Sequence, residues 1–154
     1  WLTIPVTNDR NEVVGVVGRA YPHIAHKVGM RYDMPHGQGP LMYVPDWEQW
    51  KESEAHYVVF GVLDALSMAV AGLAAASPTA GKASFNPKWL DSENWSVAVI
   101  PGWHESRDAF NLAARLDWRG RVGLLRYEAD EKDPNDILVA RGPEGLRDAV
   151  EASQ

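Results

Sequence analysis

The stretch Val58-Val59-Phe60-Gly61-Val62-Leu63-Asp64-Ala65-Leu66 limits what this chain can become. A short apolar run of β-type residues stops at a glycine, and a helix rich in alanine and leucine begins three residues later. That switch of patterning is a strand–turn–helix junction of an α/β domain. Asp64 falls in the first turn of the helix. Ligands of open α/β sheets gather outside the carboxyl ends of strands, so Phe60 and Asp64 stand where a site is expected.

The alternation continues downstream. Tyr57 to Phe60 reads as a strand and Leu63 to Ala71 as a helix. Leu73 to Ser77 is a short strand ended by Pro78 and Gly81, and Phe85 to Leu90 a helical turn. Trp95 to Ile100 is a buried strand, with Pro101 to Glu105 as a loop at its carboxyl end. Arg107 to Leu116 carries Ala109, Leu112, Ala113 and Leu116 on one helical stripe. Arg121 to Leu125 is a further strand, Glu128 to Asp136 an acidic loop, and Gly142-Pro143 opens a final helix. Such alternation predicts a mostly parallel sheet flanked by helices.

The first third reads differently. Leu2 to Val6 and Val13 to Arg19 form a hairpin about the turn Asn8-Asp9-Arg10-Asn11. Ala20 to Pro45, interrupted by prolines and glycines, is expected to be irregular, and Pro45 to Glu54 a short polar helix with Trp47 and Trp50 on one face. The expected division is a small N-terminal β-containing lobe, residues 1–55, and an α/β domain, residues 56–154.

Composition excludes several function classes. The 154 residues are 45% apolar and 23% charged, enough to bury a core. A net charge of −6 and a pI of about 5.3 leave no global basic field, so any contact with nucleic acid needs a local patch. The absence of cysteine removes disulfides, thiol catalysis and thiolate zinc sites, and is compatible with a cytoplasmic location. Val58 to Ala76 is broken by Gly61, Asp64, Ser67 and Gly72, and reads as strand plus helix rather than a membrane span. No signal peptide is visible, and Trp1 in place of Met reads as the start of a piece of a longer chain. Ala80-Gly81-Lys82 lacks the upstream glycine and the following Ser/Thr of a phosphate-cradling loop. His23, His26 and His36 are loosely spaced without paired carboxylates, and read as surface or hydrogen-bonded histidines.

Three stretches, in this order and spacing, resemble the Toprim domain of primases and topoisomerases. The first is Val58 to Leu66, where the family has a strand ending in Glu-Gly, two residues, then Asp. The second is Val97-Ala98-Val99-Ile100-Pro101-Gly102-Trp103-His104-Glu105, where it has a strand ending in Asp-x-Asp. The third, Lys132-Asp133-Pro134-Asn135-Asp136-Ile137-Leu138, looks very like the Lys-Asp-Pro-Asn-Asp segment of primase-type Toprim domains. Gly142-Pro143-Glu144-Gly145-Leu146 resembles the family's continuation of that segment. Leu2 to Val6, Val13 to Arg19 and Arg31-Tyr32 are similar to the lobe preceding Toprim in phage and bacterial primases, with Arg31 where Lys is usual.

The resemblance implies a divalent metal, Mg²⁺ or Mn²⁺, held by carboxylates around a phosphate. The departures fall on that metal site. Phe60 stands at the Glu position, and Gly102 and His104 at the two Asp positions. Phenylalanine and glycine side chains offer no ligand, and histidine suits Mn²⁺ or Zn²⁺ better than Mg²⁺. Asp64, Asp133 and Asp136 remain of the acidic set, as catalytic candidates, and with His104 and Glu105 they make up the candidate metal ligands. Each has a plainer reading: Asp64 as a helix N-terminal carboxylate, Asp133 and Asp136 as turn and N-cap residues after which Pro134 opens a helix, His104 as an exposed loop residue. Arg19, Lys27, Arg31 and Lys82 are the candidate nucleic-acid contacts, with a solvated loop as the alternative for the first three.

The expectation is therefore a degenerate primase-type module of a phage or mobile-element replication protein. It would bind single-stranded DNA template, a nucleotide or a replication partner such as a primase or helicase, with any Mg²⁺ or Mn²⁺ held weakly and no membrane contact. Two alternatives stay open: an active metal-dependent DNA primase with a relocated site, and a regulatory subunit that uses its tryptophans at an interface.

Overall fold

The computed structural model describes residues 1–29, 32–91 and 93–153. Two sheets organise it. β1 (Leu2–Thr7), β2 (Val13–Arg19) and β3 (Tyr32–Asp33) form a small antiparallel sheet in the order β1-β2-β3. β4 (Met42–Tyr43), β5 (His56–Val58), β6 (Ala74–Pro78), β7 (Val97–Val99) and β8 (Gly120–Val122) form the larger sheet, ordered β4-β6-β5-β7-β8. β6, β5, β7 and β8 run parallel; β4 is antiparallel on the β6 edge. The mostly parallel α/β architecture with a small N-terminal sheet is the one the alternation predicts.

Helices α1 (Pro22–Val28), α2 (Trp47–Glu52), α3 (Val62–Val70), α4 (Ser106–Leu116) and α5 (Pro134–Glu151) complete the fold. The two faces of the larger sheet follow from strand alternation. Tyr57, Val59, Ala75, Ala98 and Ile100 meet α3 (Val62, Ala65, Met68) and α5 (Ile137, Leu146, Val150). Val58, Ala76, Val97 and Val99 meet α4 (Ala109, Leu112, Leu116), Trp50 of α2, Phe85 and Leu90. Ile4, Val6 and Val17 join the first of these cores, which anchors the small sheet. Trp50 is fully buried, and Trp47 donates from Nε1 to the Thr7 carbonyl at 2.8 Å.

Several elements differ from the sequence expectation, among them the short strands β3 and β4, which fall in the stretch expected to be irregular. The stretch expected to be irregular contains α1, with Pro22 in its first turn and Gly29 at φ 69° closing it. Both are helix punctuation, but the helix spans only seven residues, too few for a periodic pattern to register. The acidic loop ends sooner than expected, because Asp133 caps α5 by accepting from the Asp136 amide at 2.9 Å, so that helix begins at Pro134. At Gly142 (φ 76°, ψ 179°) it breaks, and a second helical segment opens at Pro143, where the sequence places a helix start. β4 and α2, which precede residue 56, are built onto the larger sheet.

Leu112→Ala, on the buried stripe of α4, should cost roughly 2–5 kcal/mol, whereas Val139→Ala, at 79% exposure, should stay within about 0.5 kcal/mol. Urea denaturation of both variants checks the assignment of the two faces.

Candidate functional site

The register aligns the carboxyl ends of the four parallel strands. Val58 is opposite Ala76 and Val99, and Val99 is opposite Val122. The connection from β5 runs through α3 to β6 on one side, while β7 runs through α4 to β8 on the other. The order of strands therefore switches between β5 and β7, and a crevice opens outside their carboxyl ends. A cleft of about 390 Å³ lies there, with Arg19, Asp64, His104, Glu105, Asp133, Trp103 and Lys132 among its lining residues.

Each acid is held by backbone. Asp64, third residue of α3, accepts from the Asn135 amide at 3.3 Å through Oδ1. Its other oxygen lies so near Gly61 that a Cβ there would run into it. Glu105, just ahead of α4, accepts from the Gly102 amide at 3.1 Å. Asp136 accepts from the Lys132 amide at 3.0 Å, and Asp133 caps α5. The plainer reading of these acids as caps and turn residues describes their bonds as they stand. Ser67 Oγ donates to Asn135 Oδ1 at 3.1 Å, and the Trp103 amide donates to the Lys132 carbonyl at 2.7 Å. These bonds pin the Lys132–Asp136 segment to α3 and to the loop after β7.

The acids also repel one another. Burial first, then the Asp133 charge, push the Asp64 carboxyl up to about 8, against the Asn135 amide, which lowers it. Burial likewise raises Asp133, and the Asp136 and Glu105 charges add to it. Burial and the same four carboxylates hold the Tyr127 phenol above its ordinary value, while its hydroxyl donates to the Pro101 carbonyl at 2.7 Å.

The structure brings Asp64, His104, Glu105 and Asp133 to one cleft, and Asp136 acts on it through charge. His104 is exposed, its ring 5.9 Å from that of Trp103. Among the described residues no group of three or more His, Asp or Glu is arranged so that it could hold a metal ion. At position 102 a Cβ would sit 2.9 Å from the Lys132 carbonyl and 3.1 Å from Glu105 Oε2, so the local packing accommodates glycine and not an aspartate. Phe60 is buried and packs in the core under α4. The donor set therefore fits no chelated cation.

The basic candidates separate. Arg19 lines the cleft, its guanidinium stacked 4.6 Å over the Tyr32 ring. Lys27 is exposed on α1 and does not line the cleft, and Arg31 lies outside the described residues. Lys82 sits in a 3₁₀ turn after β6, where Asp108 (2.9 Å) and Glu105 (3.4 Å) engage its ammonium. A phosphate would have to displace those carboxylates. Lys132, Trp103 and Asn135 were not singled out individually by sequence reasoning; Lys132 and Asn135 lie within the Lys-Asp-Pro-Asn-Asp segment, which was the available signal.

No family model matches the chain, and no curated protein sequence matches it. Solved structures do. The RNA polymerase domain of Mycobacterium tuberculosis primase superposes with a TM-score of 0.72 at 19% identity, over 97% of this chain and 54% of that one. The zinc-binding and RNA polymerase domains of the Aquifex aeolicus primase give 0.70 at 16% identity, over 99% and 40%. The primase fragment of the bacteriophage T7 primase-helicase protein gives 0.70 at 12% identity, over 96% and 61%. The chain thus has the fold of primase catalytic domains, the Toprim-like architecture implied by its motifs, and spans about half the length of the structures it matches.

The Asp64 carboxyl titrates near 8 in the folded chain and near 4, roughly, when unfolded. Between those values the folded state holds a proton that the unfolded state has released. The resulting stability is fully present below the lower value and is lost as pH rises through the upper one. In chelator, urea denaturation should show stability falling from pH 5 to pH 9, with a flatter profile for Asp64→Asn, which keeps an acceptor for the Asn135 amide.

Proposed function

We propose that the chain is a nucleic-acid-binding module of a replication protein, built on the primase fold and weakly or not catalytic by itself. The observation that carries this reading is the state of the crevice. On a primase fold, Phe60 and Gly102 stand where the Toprim pattern has carboxylates, and the acids that remain are bonded to backbone amides. A carboxyl that keeps its proton up to about pH 8 must lose it before it can ligate a cation.

The binding part of the reading is supported by what lines the same cleft. Arg19 and Lys132 are cations there, with Tyr32, Phe60 and Trp103 as aromatic neighbours. Basic groups beside aromatic faces are the chemistry of single-stranded nucleic acid and nucleotides. A primase or helicase is the partner class that goes with the module. Among the described residues no helix is long and apolar enough to cross a membrane.

One observation favours a second reading, a metal-dependent nucleotidyltransferase with a relocated site. The mutual repulsion of Asp64 and Asp133 would be relieved by a cation between a bound phosphate and these acids. A bound Mg²⁺ or Mn²⁺ would neutralise phosphate charge, while Asp64 and Asp133 held it and His104, Glu105 and Asp136 stood near.

Labelled single-stranded oligonucleotides should bind in low salt, and Arg19→Glu and Lys132→Glu should each weaken them several-fold and flatten the salt dependence by about one counterion. Calorimetry with Mn²⁺ should show at most millimolar binding, lost in the Asp64→Ala, Asp133→Ala double variant. Primer synthesis by the chain alone, abolished by Asp64→Ala, would overturn the first reading in favour of the second.

A further inference from the structure

Trp103 is exposed without being loose. Half of its surface is open to solvent, yet the loop that carries it is fixed at four points. Its own amide donates to the Lys132 carbonyl, and the Gly102 amide donates to Glu105. The Glu105 amide returns to the Gly102 carbonyl at 3.0 Å, and Tyr127 holds the Pro101 carbonyl. Nothing in the core needs this indole. A large, rigid, exposed aromatic costs little entropy on binding.

Its position is at the joint of a row of cavities. A cavity of about 450 Å³ lies outside β6 and β5, lined by Tyr32, Phe60 and the turn from Pro78 to Gly81. It shares Tyr32, Phe60 and Gly61 with the 390 Å³ cleft. That cleft in turn shares Gly102 and Trp103 with a groove of about 290 Å³ bounded by Leu124 and Tyr127. The aligned register explains the continuity. Phe60, Pro78, Pro101 and Leu124 each lie two residues past the same rung of the sheet. Four strands at about 4.8 Å spacing give a trough on the order of 15 Å long, running across the strand ends.

We propose that this trough, from the β6 end to the β8 end, is a track for single-stranded nucleic acid, with Trp103 as a base-stacking platform between the crevice and the β8 side. The proposal rests on the nucleic-acid reading above and names where the strand goes. The cations that flank Trp103 favour a polyanion over an apolar peptide, while Asp64, Glu105 and Asp133 line the floor of the same cleft. Arg19 and Lys132 stand on the cleft side of Trp103, and among the described residues neither makes an ion pair. Arg126 stands on the other side, beside a cavity that shares Leu124 with the groove. Each of the three cavities has aromatic lining: Tyr32 and the edge of buried Phe60 in the first two, Trp103 in the second and third, and Tyr127 in the third.

The test uses fluorescein-labelled oligo(dT) of increasing length, with anisotropy as readout, against the whole chain. Affinity should plateau at roughly 4 nucleotides or more. Trp103→Ala should weaken binding roughly 10- to 100-fold, the range of one lost base–aromatic stack. Trp103→Phe should recover most of it, and both should melt as the wild type does because the ring is outside the core. Wild-type binding that Trp103→Ala leaves unchanged, but Lys132→Glu weakens, overturns the track and leaves the nucleic-acid reading standing. No binding by the wild type at any length overturns both. Self-association in sedimentation that Trp103→Ala abolishes, with oligonucleotide affinity unchanged, assigns the platform to a protein partner instead.

Discussion

The hydrogen bond from the Asn135 amide to Asp64 holds the site together. It joins the first turn of the central helix to the first turn of the last one, and Ser67 adds a second tie to the same asparagine. Together with the packing of Ile137 in the core that α3 shares, these ties set Asp133 and Lys132 relative to Asp64. The Trp103–Lys132 backbone bond extends the tie to the loop after β7. One five-residue segment thus sets the relative positions of three elements, and the side chains it brings are partly carboxylates that repel. Burial and repulsion oppose the tie, as the raised Asp64 and Asp133 values show. The crevice is held against its own electrostatics by backbone geometry.

Support around this point is built from long polar reaches rather than additional core. Arg147 donates from Nε and Nη2 to the Ala71 carbonyl, closing the carboxyl end of α3 from the second segment of α5. Arg141, next to the Gly142 break, forks onto buried Glu131, and Arg141 also reaches the Arg126 carbonyl. A bidentate pair of this kind orients both partners, and here it fixes the approach of the acidic loop to α5. The hydrogen bond from Arg141 holds Glu131 below its ordinary value despite burial.

Much of the fold was legible because strand alternation and glycine or proline punctuation coincide. Val58 to Asp64 reads as a junction in sequence and is one in space, and Gly142-Pro143 marks a real helix start within α5. α1 was missed because it spans seven residues, too few for a periodic pattern, and its clear signals are terminal, Pro22 and Gly29. The site was legible as a set of positions, not as a set of bonds. The spacing of Asp64 and Asp133 says that they meet; it does not say that backbone amides occupy them. Lys82 looks like a free cation in sequence, since Asp108 lies 26 positions away and only folding brings it near. Trp103 carries no periodic signal, and its exposure is a property of the loop alone.

The strand order has a kinetic consequence. β5 pairs with β6 beyond an intervening helix and with β7 beyond two further segments, so His56 finds both Ala74 and Val97 across long stretches of chain. No rung among the parallel strands is a hairpin rung. Closing such loops takes entropy before any pairing rewards it, which slows folding relative to helical bundles. The tie between Asp64 and Asn135 closes a still longer loop, over a sheet that must already exist to present both ends. The small antiparallel sheet, by contrast, starts from a local hairpin. The lobe whose pairing is most local bears Arg19, whereas the crevice that Arg19 lines depends on residues far apart in the chain.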